Sequence, residues 1–207
     1  MNVNEIVRIV PTLKVNNRKL NERFYIETLG MKPLLEESAF LSLGDQTGTE
    51  RLILEEAPSM RTRRVEGLKK LARLVVKVEN PSEIEGILSQ MKSLPRLFKG
   101  SCGYAFEIVS PEQDVILVHA ENHIEDLVPL DTITEFYSNK SIKHLSQFEV
   151  SVELRLPEDR ESLLASELAT NAIIFTQGKG PDLAIENNVT WDLSMLKFLV
   201  KDLELTS

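Results

Sequence analysis

From Val15 to Met31 the chain reads Val-Asn-Asn-Arg-Lys-Leu-Asn-Glu-Arg-Phe-Tyr-Ile-Glu-Thr-Leu-Gly-Met, a strand-to-helix unit that is repeated from Val78 onward. A repeated supersecondary unit constrains the fold more than composition does, because each copy needs the other to cover its apolar face. Asn16 and Asn17 follow a β-branched run, and a short amide there can accept a hydrogen bond from the first helical turn, so the helix is predicted to start at Arg18. Leu20, Phe24, Tyr25 and Thr28 fall on one side of it, with Arg18, Asn21, Glu22 and Arg23 on the other. Gly30 ends it, since glycine takes the left-handed conformation of a helix C-terminus without a Cβ clash.

Upstream, Val7 to Val15 alternates as a strand does, with Ile9, Leu13 and Val15 on one face and Arg8, Val10, Thr12 and Lys14 on the other. Pro11 donates no ladder hydrogen bond and predicts an edge position or a local irregularity. The short apolar runs 32–37, 39–43 and 51–56, parted by Gly44-Asp45 and Thr47-Gly48, complete a β-α-β-β-β order, and Pro58 to Gly67 follows as a connector. Arg73 to Val78 opens the second unit. Asn80 is placed as its N-cap, Pro81 at the first helical position and Glu83 to reach back as in a capping box, with Ile84, Ile87, Leu88 and Met91 as the buried stripe. Strands at 95–99, 103–109 and 114–120 finish it, the last two joined by Ser110-Pro111-Glu112-Gln113.

These features predict an α+β chain with one doubled domain over 1–122, its modules at about 5–57 and 70–120. A polar, acidic linker spans 123–145, and a smaller α+β domain spans 146–207. In that last part Phe148, Val150, Val152, Leu154 and Leu156 alternate with polar residues, Pro157 starts a helix, and 172–176 and 183–186 read as strands. Val189 to Val200 is read as a final strand with a bulge near Met195, although Leu193, Leu196, Val200 and Leu203 also fit a helix capped by Asp192. The strand reading makes a third β-α-β-β-β unit, which would lack a partner within the chain and leaves a homodimer open.

A formal charge of −8 argues against general nucleic-acid binding, which depends on Lys and Arg neutralising phosphates. The first residues carry neither a signal-peptide pattern nor a membrane span, and a single cysteine, Cys102, suits a reducing compartment, so a cytoplasmic protein is expected. Action on a host protein would require surface exposure or non-classical release.

Val15, Phe24, Tyr25, Leu29, Gly30 and Met31 form a pattern that resembles the first module of the vicinal oxygen chelate superfamily, which includes glyoxalase, extradiol dioxygenase and bleomycin-resistance-type binding proteins. Val-Asn-Asn-Arg at 15–18, Phe-Leu-Ser-Leu-Gly-Asp-Gln-Thr at 40–47, Pro-Ser-Met-Arg-Thr-Arg at 58–63 and Val-Glu-Gly-Leu-Lys-Lys at 65–70 resemble, more narrowly, the bacterial CppA family. That resemblance implies a glyoxalase-like first domain, a family-specific second domain, and the activity in the family's name, C3-degrading proteinase, with complement C3 as partner and an association with virulence.

The superfamily holds a metal with one ligand from the first and one from the fourth strand of each module. Those positions here carry Val10, Ile53, Arg73 and Leu117, three aliphatic groups and a cation, so no metal and no other cofactor is expected. A register slip would substitute Glu55 and His119, which make a poor pair alone. Strand parity assigns Arg8, Thr12, Arg51, Glu55, Arg73, Lys77 and His119 to the same cavity, a positive lean that would attract a small anionic ligand. The alternative is that Lys14 and Lys77 snorkel to water while Arg73 pairs with Glu55.

Catalytic candidates are few. Cys102 in Gly-Ser-Cys-Gly lacks a cysteine-protease signature, His119 and His123 lack the His-Glu-x-x-His pattern, and Gly178-Lys179-Gly180 is too short for a phosphate loop. Arg61, Arg63, Arg64, Lys69 and Lys70 form one basic run, read as a solvated connector. Three functions follow: a metal-free binder of a small anion or a protein partner, a proteinase acting on C3, or a metal-independent lyase or isomerase with His119 or Glu55 as general base.

Overall fold

The computed structural model describes residues 6–57, 69–131, 142–155, 173–176 and 193–200. The first module runs β1 (Ile6–Val15), α1 (Arg18–Arg23), a π turn (Phe24–Thr28), β2 (Lys32–Glu37), β3 (Phe40–Gly44) and β4 (Glu50–Glu56). The second runs β5 (Leu71–Val78), α2 (Pro81–Leu88), β6 (Arg96–Gly100), β7 (Gly103–Val109) and β8 (Val115–His119). In each, the first strand lies parallel to the fourth, β1 on β4 and β5 on β8, and the remaining pairs are antiparallel. The two modules therefore share one topology, as the repeat predicts.

Both helices start where the amides are. Asn17 accepts from Leu20 N at 3.0 Å and Asn80 from Ser82 N at 3.2 Å, each satisfying a donor that the first turn leaves free. Gly30 has φ +71°, and a Cβ there would stand 2.7 Å from the Lys143 carbonyl oxygen, so the position requires glycine twice over. Glu83 does not close a capping box: its Oε2 accepts from Ser146 N at 3.0 Å, tying α2 to the segment before the C-terminal strands.

The first helix departs from its predicted stripe. Leu20 is 51% exposed, while Asn21, placed by sequence on the outer side, is fully buried. The buried positions Asn21, Tyr25 and Leu29 recur every four residues, a face turned by one residue from the predicted stripe, and the π turn continues it.

The C-terminal strands are β10 (Phe148–Arg155), β11 (Ile173–Thr176) and β12 (Leu193–Val200), preceded by a short β9 (Val128–Pro129). Among the described residues these strands pair with the two modules as well as with one another. β10 pairs antiparallel with β5 and parallel with β11, whereas β12 crosses to the other module and pairs antiparallel with β1. The strands thus find partners inside the chain. The result is one sheet ordered β12-β1-β4-β3-β2 and another ordered β11-β10-β5-β8-β7-β6-β9.

Residues 193–200 are a strand, and its register skips at Ser194, next to the bulge predicted near Met195. β1 is an interior strand despite Pro11, because its ladder with β4 begins only at Thr12. The expected helix from Pro157, the strand at 183–186, the connector 58–67 and the Gly178-Lys179-Gly180 turn lie outside the described residues.

One buried cluster joins the helix side of the first sheet (Ile9, Leu13, Leu52, Leu54) to that of the second (Leu74, Val76, Ile116, Val118), with Tyr25, Ile84, Ile87 and Phe148 between. Polar ties cross the same layer: Glu112 accepts from Asn16 N at 2.7 Å, from Asn16 Nδ2 at 2.5 Å and from Asn21 Nδ2 at 2.9 Å. Helices and core lie between the sheets, so the opposite face of each sheet looks outward.

Candidate functional site on the outward face of the second sheet

Outward geometry separates the residues that strand parity grouped. Arg8, Thr12 and Glu55 stand on the first sheet, whereas Arg73, Lys77 and His119 stand on the second. Arg51 belongs to neither set. The β3–β4 ladder skips it between Leu43↔Leu52 and Gly44↔Glu50, and this bulge turns its side chain to Asp45, 2.9 Å away, and to the Phe148 ring. Glu50 takes the outward place instead.

On the first sheet Glu50 accepts from Ser42 Oγ at 2.7 Å and Lys197 Nζ at 2.8 Å. Burial pushes its carboxyl up, but Lys197, Ser42 and the charge of Arg8 outweigh that and hold it below the ordinary range. Glu55 accepts from Ser194 Oγ at 2.9 Å. Thr12 Oγ1 and Arg8 Nε are buried without a hydrogen-bond partner among the described residues.

On the second sheet β10 changes the meaning of Arg73. Glu153 lies opposite it in register and takes Nε at 3.0 Å and Nη2 at 2.6 Å, while Glu107 stands 3.4 Å from Nη1. Arg73 is paired, as one reading of the sequence expects, yet with these two carboxylates and not with Glu55, which belongs to the other sheet. Burial disfavours the cation, and the two glutamates more than restore it. Leu117, Val75, Ala105 and Phe98 fill the neighbouring surface, with Ile124 and Leu127 packed over them.

The four positions that would hold the superfamily's ion do not suit one. Val10 and Leu117 are fully buried hydrocarbon, Ile53 offers no donor, and the Arg73 guanidinium is committed to carboxylates.

At the far end of β5 and β8 the picture is different. Lys77 and His119 are in register, and Lys77 Nζ donates to Asn122 Oδ1 at 3.0 Å. His119 is 3% exposed and, among the described residues, its Nδ1 has no hydrogen-bond partner. Burial, helped by Lys77 and opposed by Glu121, lowers its pKa to about 4, so the imidazole is neutral at pH 7.

Glu121, unnoticed in the sequence, completes this end. It is buried against Gly100, where a Cβ would collide with its Oε1, and it accepts from Ser101 Oγ at 2.7 Å and Cys102 N at 2.5 Å. Burial raises its pKa, but the Ser101 and Cys102 hydrogen bonds prevail and lower it. Cys102 is exposed. No hydrogen bond joins it to His119 among the described residues.

A family model described as CppA N-terminal matches residues 8–130, and one described as CppA C-terminal matches residues 145–207. The chain is 65% identical to a cppA protein from Streptococcus pneumoniae TIGR4 whose crystal structure aligns with a TM-score of 0.87, over 99% of this chain and 85% of that one. A candidate dioxygenase from Bacillus subtilis subsp. subtilis str. 168 aligns at 14% identity and a TM-score of 0.50, over 82% of this chain and 56% of its own, a likeness of fold. A lactoylglutathione lyase from Agrobacterium tumefaciens aligns at 15% identity and a TM-score of 0.39, over 53% of this chain and 89% of its own. No curated protein sequence matches.

Proposed function

Because this chain belongs to the CppA family and is built from paired glyoxalase-like modules, we propose that it is a metal-free binding protein whose anionic ligand seats at the Lys77–His119 end of the second sheet. The observation that carries this is a buried imidazole whose Nδ1 has no partner among the described residues, beside a lysine in register. A buried polar atom left without a partner costs free energy that a ligand can return. The lysine gives that ligand its sign. Arg73 takes no part, since its charge is spent on Glu153 and Glu107.

Thermal-shift screening of organic acids and phosphates against the wild type and Lys77→Met tests the reading. A ligand at 100 times its Kd stabilises the fold by about 2.7 kcal/mol, which is a rise of about 5–10 °C for a chain of this size. The shift is expected in the wild type and lost in Lys77→Met. Equal shifts in both proteins, or none in either, would remove the site.

Peptide hydrolysis is favoured by one observation, that Cys102, Glu121 and His119 gather at one end of the second sheet. Their order works against it. An activating base should touch the nucleophile and be oriented by the acid, whereas here the acid touches Cys102 through its backbone N–H, and its lowered pKa makes it a poor base. Incubation with C3 of the wild type, Cys102→Ser and chelator-treated protein decides between them: cleavage lost only in Cys102→Ser would replace the binding proposal, and unchanged cleavage in all three would remove the cysteine and metal routes.

A further inference from the structure

The amphipathic stripe that the sequence assigns to the core of the first module is only partly used there. Leu20 and Phe24, one helical turn apart, line instead a groove of about 490 Å³ together with Ile87 of the second helix, Met91 just beyond it, Ile108 and Pro111. The buried face of this helix is Asn21, Tyr25 and Leu29, which leaves Leu20 and Phe24 toward the second helix. Two apolar helix faces thus oppose one another without filling the space between them.

The volume lies within the range of small-molecule sites, about 300–1,000 Å³. Charge at the rim selects the ligand's head group. Arg23 and Glu27 offset one another at 3.9 Å, whereas Lys92 has no ion pair among the described residues, so the rim carries a net positive charge in an acidic protein. We infer that this interhelical groove binds a small amphipathic acid, with its apolar body between Leu20, Phe24, Ile87 and Met91 and its acid group toward Lys92. The groove shares no residue with the Lys77–His119 end, so each site stands or falls alone.

The probe is 8-anilinonaphthalene-1-sulfonate, followed by fluorescence and displaced by decanoate or by decyltrimethylammonium. The wild type is expected to bind one equivalent, and Leu20→Gln, a change at a half-exposed position that leaves the thermal midpoint within about 2 °C, to bind about tenfold more weakly. Decanoate is expected to displace the probe at about a threefold lower concentration than the ammonium, a preference that Lys92→Glu abolishes and Lys77→Met leaves intact. Equal probe binding by the wild type and Leu20→Gln, or equal displacement by acid and ammonium, overturns the inference. So does a dimer in light scattering that Leu20→Gln dissociates, because the groove would then be filled by a second copy.

Discussion

The outward faces of the two sheets begin from the same topology and dispose of their charge in different ways. On the first, Glu50 collects Lys197 and Ser42, a pair whose lysine is half exposed. On the second, Arg73 is closed off by Glu153 and Glu107, and the buried atom left without a partner among the described residues is His119 Nδ1, at the far end of the strands beside Lys77. The difference comes from the added strands. β10 brings a carboxylate opposite Arg73, while β12 brings a lysine opposite Val10. Two copies of one module can therefore keep a fold and diverge in chemistry through what is laid along their open edges.

The largest expected effect tests the Arg73 corner. Glu153→Leu leaves a largely buried guanidinium with Glu107 alone and should cost about 2–3 kcal/mol in urea unfolding. A loss below about 0.5 kcal/mol would mean that the second sheet holds its charge no more tightly than the first.

Next is acid sensitivity. The folded pKa of His119, about 4, lies below its unfolded value of about 6.5, so the unfolded chain binds the proton first and stability falls as pH drops through that window. The stability is fully present above the unfolded value, and the loss between pH 7 and 5 should be about 2 kcal/mol. His119→Gln should flatten that slope; an unchanged slope would assign it elsewhere.

Gly100→Ala pushes a methyl group against Glu121 and should cost about 1 kcal/mol by releasing the Ser101 and Cys102 hydrogen bonds. The smallest effect belongs to the first sheet, where Lys197→Met should change stability by less than about 0.5 kcal/mol, as expected of an exposed pair. Unfolding curves for the two variants, measured side by side, sharpen the contrast between the faces.

Local chemistry explains which of these features the sequence discloses. Strands 32–37 and 103–109, both N-caps and the Gly30 stop are fixed by near neighbours, and the sequence predicts them at their observed places. Two corrections come from local backbone geometry: the buried face of the first helix is set one residue on, so that Asn21 takes the place of Leu20, and the bulge at Arg51 exchanges it for Glu50. A single inserted residue leaves no compositional mark, yet it reverses every later side chain. Glu153 and Glu121 were missed for another reason. The alternation in 148–156 marks Glu153 as facing away from the core, but its partner Arg73 is 80 positions earlier, and Glu121 matters only because Gly100 leaves room for it.

The central claim is that the open end of the second sheet is an anion site centred on a neutral, buried imidazole. NMR titration of the His119 ring, with and without the strongest acid or phosphate from the thermal screen, tests it most directly. The account predicts a pKa of about 4 without ligand and a higher value with it, because a bound anion favours the imidazolium. A ring that titrates near 6.5, or one whose pKa no anion moves, would contradict it.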